Sequence, residues 1–398
     1  MVAFLNYIFH PVLGRILSPA EFGDVQAFIS LLTQAGILFG AFSVVTVNLT
    51  TNTENPRERN AIILELQKIA IWIVIFIFIV LIVSVFKLKS FFNFSSVYPL
   101  IGLAVTLPIS AINIFRNAYL QGSSRFAELS FSGVISSLGR LVFAVILILI
   151  GWGTFGATLG IILANIAVMF FLLAKTHNSL NLHDKTNIHV LEKGSIIKEL
   201  KYGLLVLFAT GLVIIFYTID VLIVKRYFGA EEAGLYSGIS AIAKIMFFVI
   251  GPSAAVLLSS VKVKNSFGEN SLILKKSIFI GVFIGAVGLL AFSIFHDILI
   301  QVMIGGKYVT FAYLLPKIGW VMFLSATMNI FVYYFLALRR FFLIFISLFG
   351  VVAVFFIMFG DHASIEQIIS NLSVVLVIIN LSFILVYAKD YFRNHSSI

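Results

Sequence analysis

Twelve apolar runs follow one another along this chain, and they leave it few ways to fold. They occupy residues 1–13, 25–49, 66–86, 98–119, 129–150, 155–174, 202–224, 235–258, 278–295, 312–338, 342–359 and 368–388. A hydrocarbon layer of roughly 30 Å is crossed by about 20 helical residues. No water inside it satisfies a bare N–H or C=O, so a continuous apolar run must close its hydrogen bonds within itself as a helix. A membrane barrel would instead show segments of about ten residues with alternating polarity. Composition rules out the soluble alternative: 61% of the 398 residues are hydrophobic and 11% charged, against about one-quarter charged in soluble proteins. The mean hydropathy is +1.10. The expected fold class is all-α, a polytopic membrane protein of about twelve transmembrane helices. The first run is short for a crossing, so that helix is expected to be truncated or to begin upstream.

The chain also repeats itself. Arg15-Ile16-Leu17-Ser18-Pro19-Ala20-Glu21-Phe22-Gly23 returns, altered, as Arg226-Tyr227-Phe228-Gly229-Ala230-Glu231-Glu232-Ala233-Gly234, at an offset of 211. Tyr119 to Phe126 returns as Tyr334 to Phe341, at an offset of 215. Two matching turns in the same order predict a duplication of six helices. The expected domains are a lobe over 1–174, a polar cytoplasmic linker over 175–201 and a second lobe over 202–398. An even number of spans per half makes the lobes parallel repeats about an axis along the membrane normal.

Basic residues set the expected orientation, because Lys and Arg collect in cytoplasmic loops. Of 27, seventeen fall on one side of the membrane, including Arg57, Arg125, Lys175, Lys262, Arg340 and Lys389. Six fall on the other: Arg15, Lys87, Lys89, Lys225, Arg226 and Lys307. Both termini and the linker are therefore expected in the cytoplasm, with the chain in the inner membrane. The net charge of +10 is explained this way, and no nucleic-acid partner is expected. There is no cysteine, which excludes disulfides. No small-residue cleavage site follows the first run, so no cleavable signal is expected.

The remaining four basic residues, Arg116, Arg140, Lys244 and Lys317, fall inside spans. Each costs at least ~2.5–3.5 kcal/mol on insertion scales, so each should face a partner or a watery cavity. Arg140 lies midway along the fifth span, on a helical face with Gly133, Ser136 and Ser137. Lys244 lies midway along the eighth, with Ser237, Ser240 and Ala241 on its face. The 211 offset pairs Lys244 with Thr33, whose face carries Gln26 and Ser30. Together the four cations offer contacts at several depths to an anionic group such as a phosphate. The plainer reading is that Arg116 and Lys317 snorkel to the interfaces and that Arg140 and Lys244 sit in internal ion pairs. Asp220 is the acid well inside a span. It can carry a coupling proton or cation, or pair with Lys244, Lys225 or Arg226.

Signals of catalysis are poor. No GxxxxGK[ST] loop and no dinucleotide fingerprint occurs. Glu21 and Asp24 are a close pair of carboxylates in an outer loop, and Ser18-Pro19-Ala20-Glu21 reads as a helix start with Ser at the N-cap and Glu at N3. Glu128 is expected to cap the fifth span. His10 is expected to be packed or interfacial. His177, His183 and His189 lack metal-ligand spacing. No enzyme activity, metal or cofactor is predicted.

At these turns the chain resembles a known family. Gly14 to Gly23 looks like the R-x-L-x-P-x-E-[FY]-G turn of polysaccharide repeat-unit flippases, in the multidrug/oligosaccharidyl-lipid/polysaccharide exporter superfamily. Tyr119-Leu120-Gln121-Gly122-Ser123-Ser124-Arg125-Phe126 resembles their LQG…RF turn. Asp220 to Val224, followed by Glu231-Glu232-Ala233-Gly234-Leu235-Tyr236, resembles a third signature. The resemblance implies two six-helix lobes around a central cavity open to each side in turn. It also implies an undecaprenyl-pyrophosphate-linked oligosaccharide moved between leaflets, with membrane lipids and the glycosyltransferases and polymerase of the pathway as partners. Arg140, Lys244, Arg116 and Lys317 are then the expected substrate contacts. Gln26, Ser30, Thr33, Ser136 and Ser240 are the expected polar wall, and Asp220 the ion-coupling group. The alternatives are a drug/cation antiporter, whose cavity should be more acidic than basic, and a membrane glycosyltransferase or polymerase, which should carry a large outer domain.

Overall fold

The computed structural model describes residues 2–53, 55–177, 179, 193–360 and 362–395. Among them the chain forms fifteen α-helices and no strand. Ten stretches of the described residues are long and apolar enough to cross a membrane. The longest, Phe126–Thr176, is two crossings: helix α7 (Phe126–Leu147) and helix α8 (Gly153–Thr176) meet at a wide turn, Ile148–Trp152. Gly151 and Gly153 hold φ of 96° and 45° there, values that side chains with a Cβ resist. The two helices run antiparallel, with Gly156 against Leu147, Gly160 against Ala144, Gly139 against Ala164 and Phe131 against Phe171. Helix α1 (Val2–Ile16) stands apart from the ten. Its 15 residues span about 22 Å, which is short of the hydrocarbon thickness. The twelve segments expected from the apolar runs are therefore all helical, and the protein is a multi-pass membrane protein.

The chain divides into two compact units, Met1–Leu207 and Phe208–Ile398. The first holds α1, α2 (Pro19–Ala35), α3 (Ile37–Asn52), α4 (Pro56–Val83), α5 (Val85–Phe91), α6 (Tyr98–Gly122), α7, α8 and the start of α9 (Lys193–Tyr227). Residues 193–201, expected in the linker, are thus already helical. Residues 180–192, with His183 and His189, lie outside the described residues. Helix α6 is the hub of this unit and packs against α2, α3, α4 and α8. Helix α4 turns Trp72, Phe76 and Val83 outward, each at least two-thirds exposed. Water would not tolerate that surface and lipid does.

The second unit holds the rest of α9, α10 (Ala230–Ala243), α11 (Ile245–Ser260), α12 (Phe267–Met303), α13 (Leu315–Ala337), α14 (Phe342–Phe359) and α15 (Ile365–His395). Its hub is α13, packed on α10, α11, α12 and α15. Each hub is the fourth span of its half, as a duplication requires.

The hub helices end identically. Ser123 N donates to Tyr119 O, Ser124 N to Gln121 O and Arg125 N to Leu120 O. The three bonds recur 215 residues later, from Leu338 to Tyr334, Arg339 to Leu336 and Arg340 to Phe335. This pattern satisfies the last carbonyls of a helix through one left-handed residue. Ser124 (φ 56°) and Arg339 (φ 53°) fill that position.

The opening turn repeats in backbone only. Ser18 caps α2, accepting from Glu21 N, while Glu21 Oε2 accepts from Ser18 N at 3.0 Å. In the copy Gly229 holds the same extended conformation before α10 with no side chain to cap it. Glu128 lies in the first turn of α7, where a negative charge was expected, and its carboxylate is also held by the guanidinium of Arg125.

Candidate functional site

In the first unit the polar residues gather on α1. Asn6, Phe9 and His10 lie three and four residues apart and so share one face of that helix. The face meets α7 through Arg140, whose Nη2 donates to Asn6 Oδ1 at 2.9 Å and approaches Asn6 O at 3.4 Å. The guanidinium carbon stands 4.4 Å above the ring centroid of the fully buried Phe9, within reach of a cation–π attraction. No carboxylate pairs with Arg140 among the described residues, and its Nε is buried without a hydrogen-bond partner. The internal ion pair of the plainer reading is not seen at Arg140 among the described residues. On the α2 side, Gln26 Nε2 and His10 Nδ1 are hydrogen-bonded at 2.8 Å. Helix α1 therefore connects Gln26 to Arg140. Asn6 was not singled out in the sequence, although its spacing from His10 was the available signal.

The other predicted groups of this unit take smaller roles. Ser30 is buried on α2. Thr33 Oγ1 donates to Ile29 O at 2.7 Å, so its proton is committed to its own helix. Ser136 is half-buried on α7. Arg116 is buried rather than snorkelling. Its Nη1 donates to Thr176 Oγ1, joining α6 to the end of α8.

In the second unit the centre is Asp220 on α9, 1% exposed. Its Oδ2 accepts from Tyr236 Oη at 3.1 Å and from Ser240 Oγ, both on α10. Lys244 Nζ lies 3.8 Å from Oδ1. Of the three partners expected for Asp220, Lys244 is the one that meets it, while Arg226 lies over Phe359 at 4.8 Å. Tyr236, read only as part of a motif, is thus a ligand of the carboxylate.

Lys244 also marks a break. It separates α10 from α11, as Gly36 separates α2 from α3. Counted from the opening turn Lys244 pairs with Thr33. Counted from the break it pairs with Gly36, because α10 has 14 residues and α2 has 17. Lys317, at the start of α13, is exposed, with Nζ 5.6 Å from the Tyr313 ring. No group of three or more metal-ligating side chains occurs among the described residues.

Among the described residues, the first unit thus offers a cation with no carboxylate beside it, and the second a buried carboxylate held by two hydroxyls and an ammonium. Two units, each built around a hub helix, give a fold shared with solved transporters of the MOP superfamily. An inward-facing multidrug resistance MATE family transporter of that superfamily aligns with a TM-score of 0.76 at 15% identity, covering 98% of this chain and 95% of its own. The lipid II flippase MurJ, in an inward closed conformation, aligns at 0.68 and 14%, covering 96% and 86%. A MOP superfamily transporter from Pyrococcus furiosus aligns at 0.53 and 16%, covering 97% and 92%. Within this class the chain belongs to the polysaccharide biosynthesis protein family, which matches residues 1–259. The resemblance carried by the turns is borne out. No curated protein sequence gives a significant match.

Proposed function

We propose that this protein is a flippase that moves undecaprenyl-pyrophosphate-linked oligosaccharide units across the cytoplasmic membrane by alternating access, for polysaccharide biosynthesis. The observation that carries the reading is Arg140, a cation inside a membrane span with no carboxylate beside it. Burying such a charge costs several kcal/mol unless an opposite charge arrives. A pyrophosphate supplies one. Asn6 and Phe9 hold the guanidinium in place, and its planar group suits a phosphate. Membership of a polysaccharide biosynthesis family supports a glycan cargo, and a fold shared with a lipid II flippase supports a lipid-linked one. Arg116, Lys244 and Lys317 are the further proposed contacts. Both termini are assigned to the cytoplasm by the distribution of Lys and Arg, and the glycosyltransferases and polymerase of the pathway are the proposed partners.

Asp220 gives this reading its coupling group. A proton or cation taken up there would compete with Lys244 for the same carboxylate. The buried acid also favours a second reading, a drug/cation antiporter, which differs in cargo.

Reconstitution into liposomes tests both. A fluorescent undecaprenyl-pyrophosphate oligosaccharide in the inner leaflet should become accessible to an impermeant quencher when the wild-type protein is present. Arg140→Ala should slow this at least tenfold, the scale of losing one charged contact. An unchanged rate for Arg140→Ala would overturn its role. Failure of the wild type to move the lipid, with cation-driven efflux of an organic dye in its place, would favour the antiporter.

A further inference from the structure

We propose that the second unit carries a binding site for an anionic glycerophospholipid headgroup, where the start of α12 meets the end of α15. A hollow of about 310 Å³ lies there, lined by Phe267, Gly268, Ser271, Leu272, Lys275 and Tyr391. The two helices meet at this end through their rings. Phe267 stacks on Tyr387 at 6.1 Å, and Tyr391 lies 6.1 Å from Phe267. Ser271 is 4% exposed, and its hydroxyl shares a 2.5 Å hydrogen bond with Tyr387 Oη. The walls are therefore fixed.

The charge in the hollow is positive. Lys275 Nζ stands 5.2 Å from the Tyr391 ring, and no ion pair engages Lys275 among the described residues. The nearby carboxylates are committed elsewhere: Glu269 to the Ser266 backbone at 3.0 Å, and Asp390 to Arg340 at 3.0 Å. Lys276, Lys389 and Arg393 flank the site in sequence and are exposed. Leu272 of the lining is 54% exposed, and Phe279 on α12 and Leu385 on α15, further along the same helices, are 73% and 69% exposed. Such an apolar surface suits acyl chains. A basic, ring-lined pocket between membrane helices whose neighbouring side chains are exposed and apolar fits a lipid phosphate better than a soluble anion. At Gly268 an added Cβ would meet nothing within 4 Å, so the hollow is open there.

Native mass spectrometry of the detergent-solubilised chain tests the site, with phosphatidylglycerol and phosphatidylcholine supplied in equal amounts. Phosphatidylglycerol adducts should predominate. Lys275→Ala should lower them about fivefold, the effect of one basic contact near a membrane surface. Gly268→Trp, which fills the hollow and keeps every charge, should lower them as well, while Lys87→Ala should not. Equal binding of the two lipids would overturn the proposal. So would wild-type occupancy in Gly268→Trp, which would leave only diffuse attraction to the basic residues. Neither outcome depends on whether the protein moves an oligosaccharide.

Discussion

Arg125 and Arg340, 215 residues apart, fasten the same turn to the end of the same helix in their two units. Arg125 Nη2 donates to the carbonyl of Lys175 at 3.0 Å, and Arg340 Nη2 donates to the carboxylate of Asp390, also at 3.0 Å. The acceptors, too, stand 215 residues apart. The tertiary contact as well as the local sequence recurs in both units.

The left-handed residues of these turns make the first prediction. A side chain at positive φ costs roughly 1–2 kcal/mol, which glycine avoids, less its own larger entropy in the unfolded chain. Ser124→Gly should therefore stabilise the protein by up to about 1 kcal/mol. Arg339→Gly should gain less, because the arginine side chain is lost. Thermal unfolding in detergent reads both, and a lower midpoint for Ser124→Gly would contradict the argument.

The two copies of the opening turn make the second. Ser18→Ala removes a cap and should cost ~1 kcal/mol. Gly229→Ser installs the missing cap opposite Glu232 and should gain a few tenths of a kcal/mol, since glycine is itself an acceptable N-cap. The same unfolding assay should move in opposite directions for the two variants.

Close packing of α7 on α8 makes the third. A Cβ on Gly160 would stand under 3.0 Å from the backbone of Ala144, and backbone cannot turn aside as a side chain can. Gly160→Leu should cost well over ~1–3 kcal/mol, the usual cost of overpacking. It should appear as loss of the monodisperse peak in size-exclusion chromatography. Gly229→Leu, where a Cβ meets nothing within 4 Å, should retain that peak.

Asp220 makes the fourth. Its hydrogen bonds to Ser240 and Tyr236 should outweigh a 3.8 Å approach to Lys244, because hydrogen bonds to a charged group contribute ~1.5–3 kcal/mol. In double-mutant cycles the Asp220–Ser240 coupling should exceed the Asp220–Lys244 coupling. The reverse order would mean that the ion pair holds α9 to α10.

The apolar runs all proved helical because a span must satisfy its backbone internally, a requirement read locally. The helix cap at Ser18 was legible for the same reason: its four residues are contiguous. Partners distant in sequence were not legible. Arg116 meets Thr176 across 60 residues and Arg140 meets Asn6 across 134, and no spacing rule reaches that far. Glu128 was legible at the start of its helix, while its pairing with Arg125, which belongs to the turn before the helix, was not read. The start of α9 was misjudged because the polar residues of 193–201 resemble a loop, although a helix can run on past the hydrocarbon layer.

Between Leu141 and Ala174 the chain contains no ionisable residue, and the wide turn at Gly151 and Gly153 lies inside that interval. During synthesis, the loop joining α7 to α8 therefore carries no charge across the bilayer. The two helices can enter the membrane together as a preformed hairpin, their glycine contacts already made, without waiting for the rest of the unit.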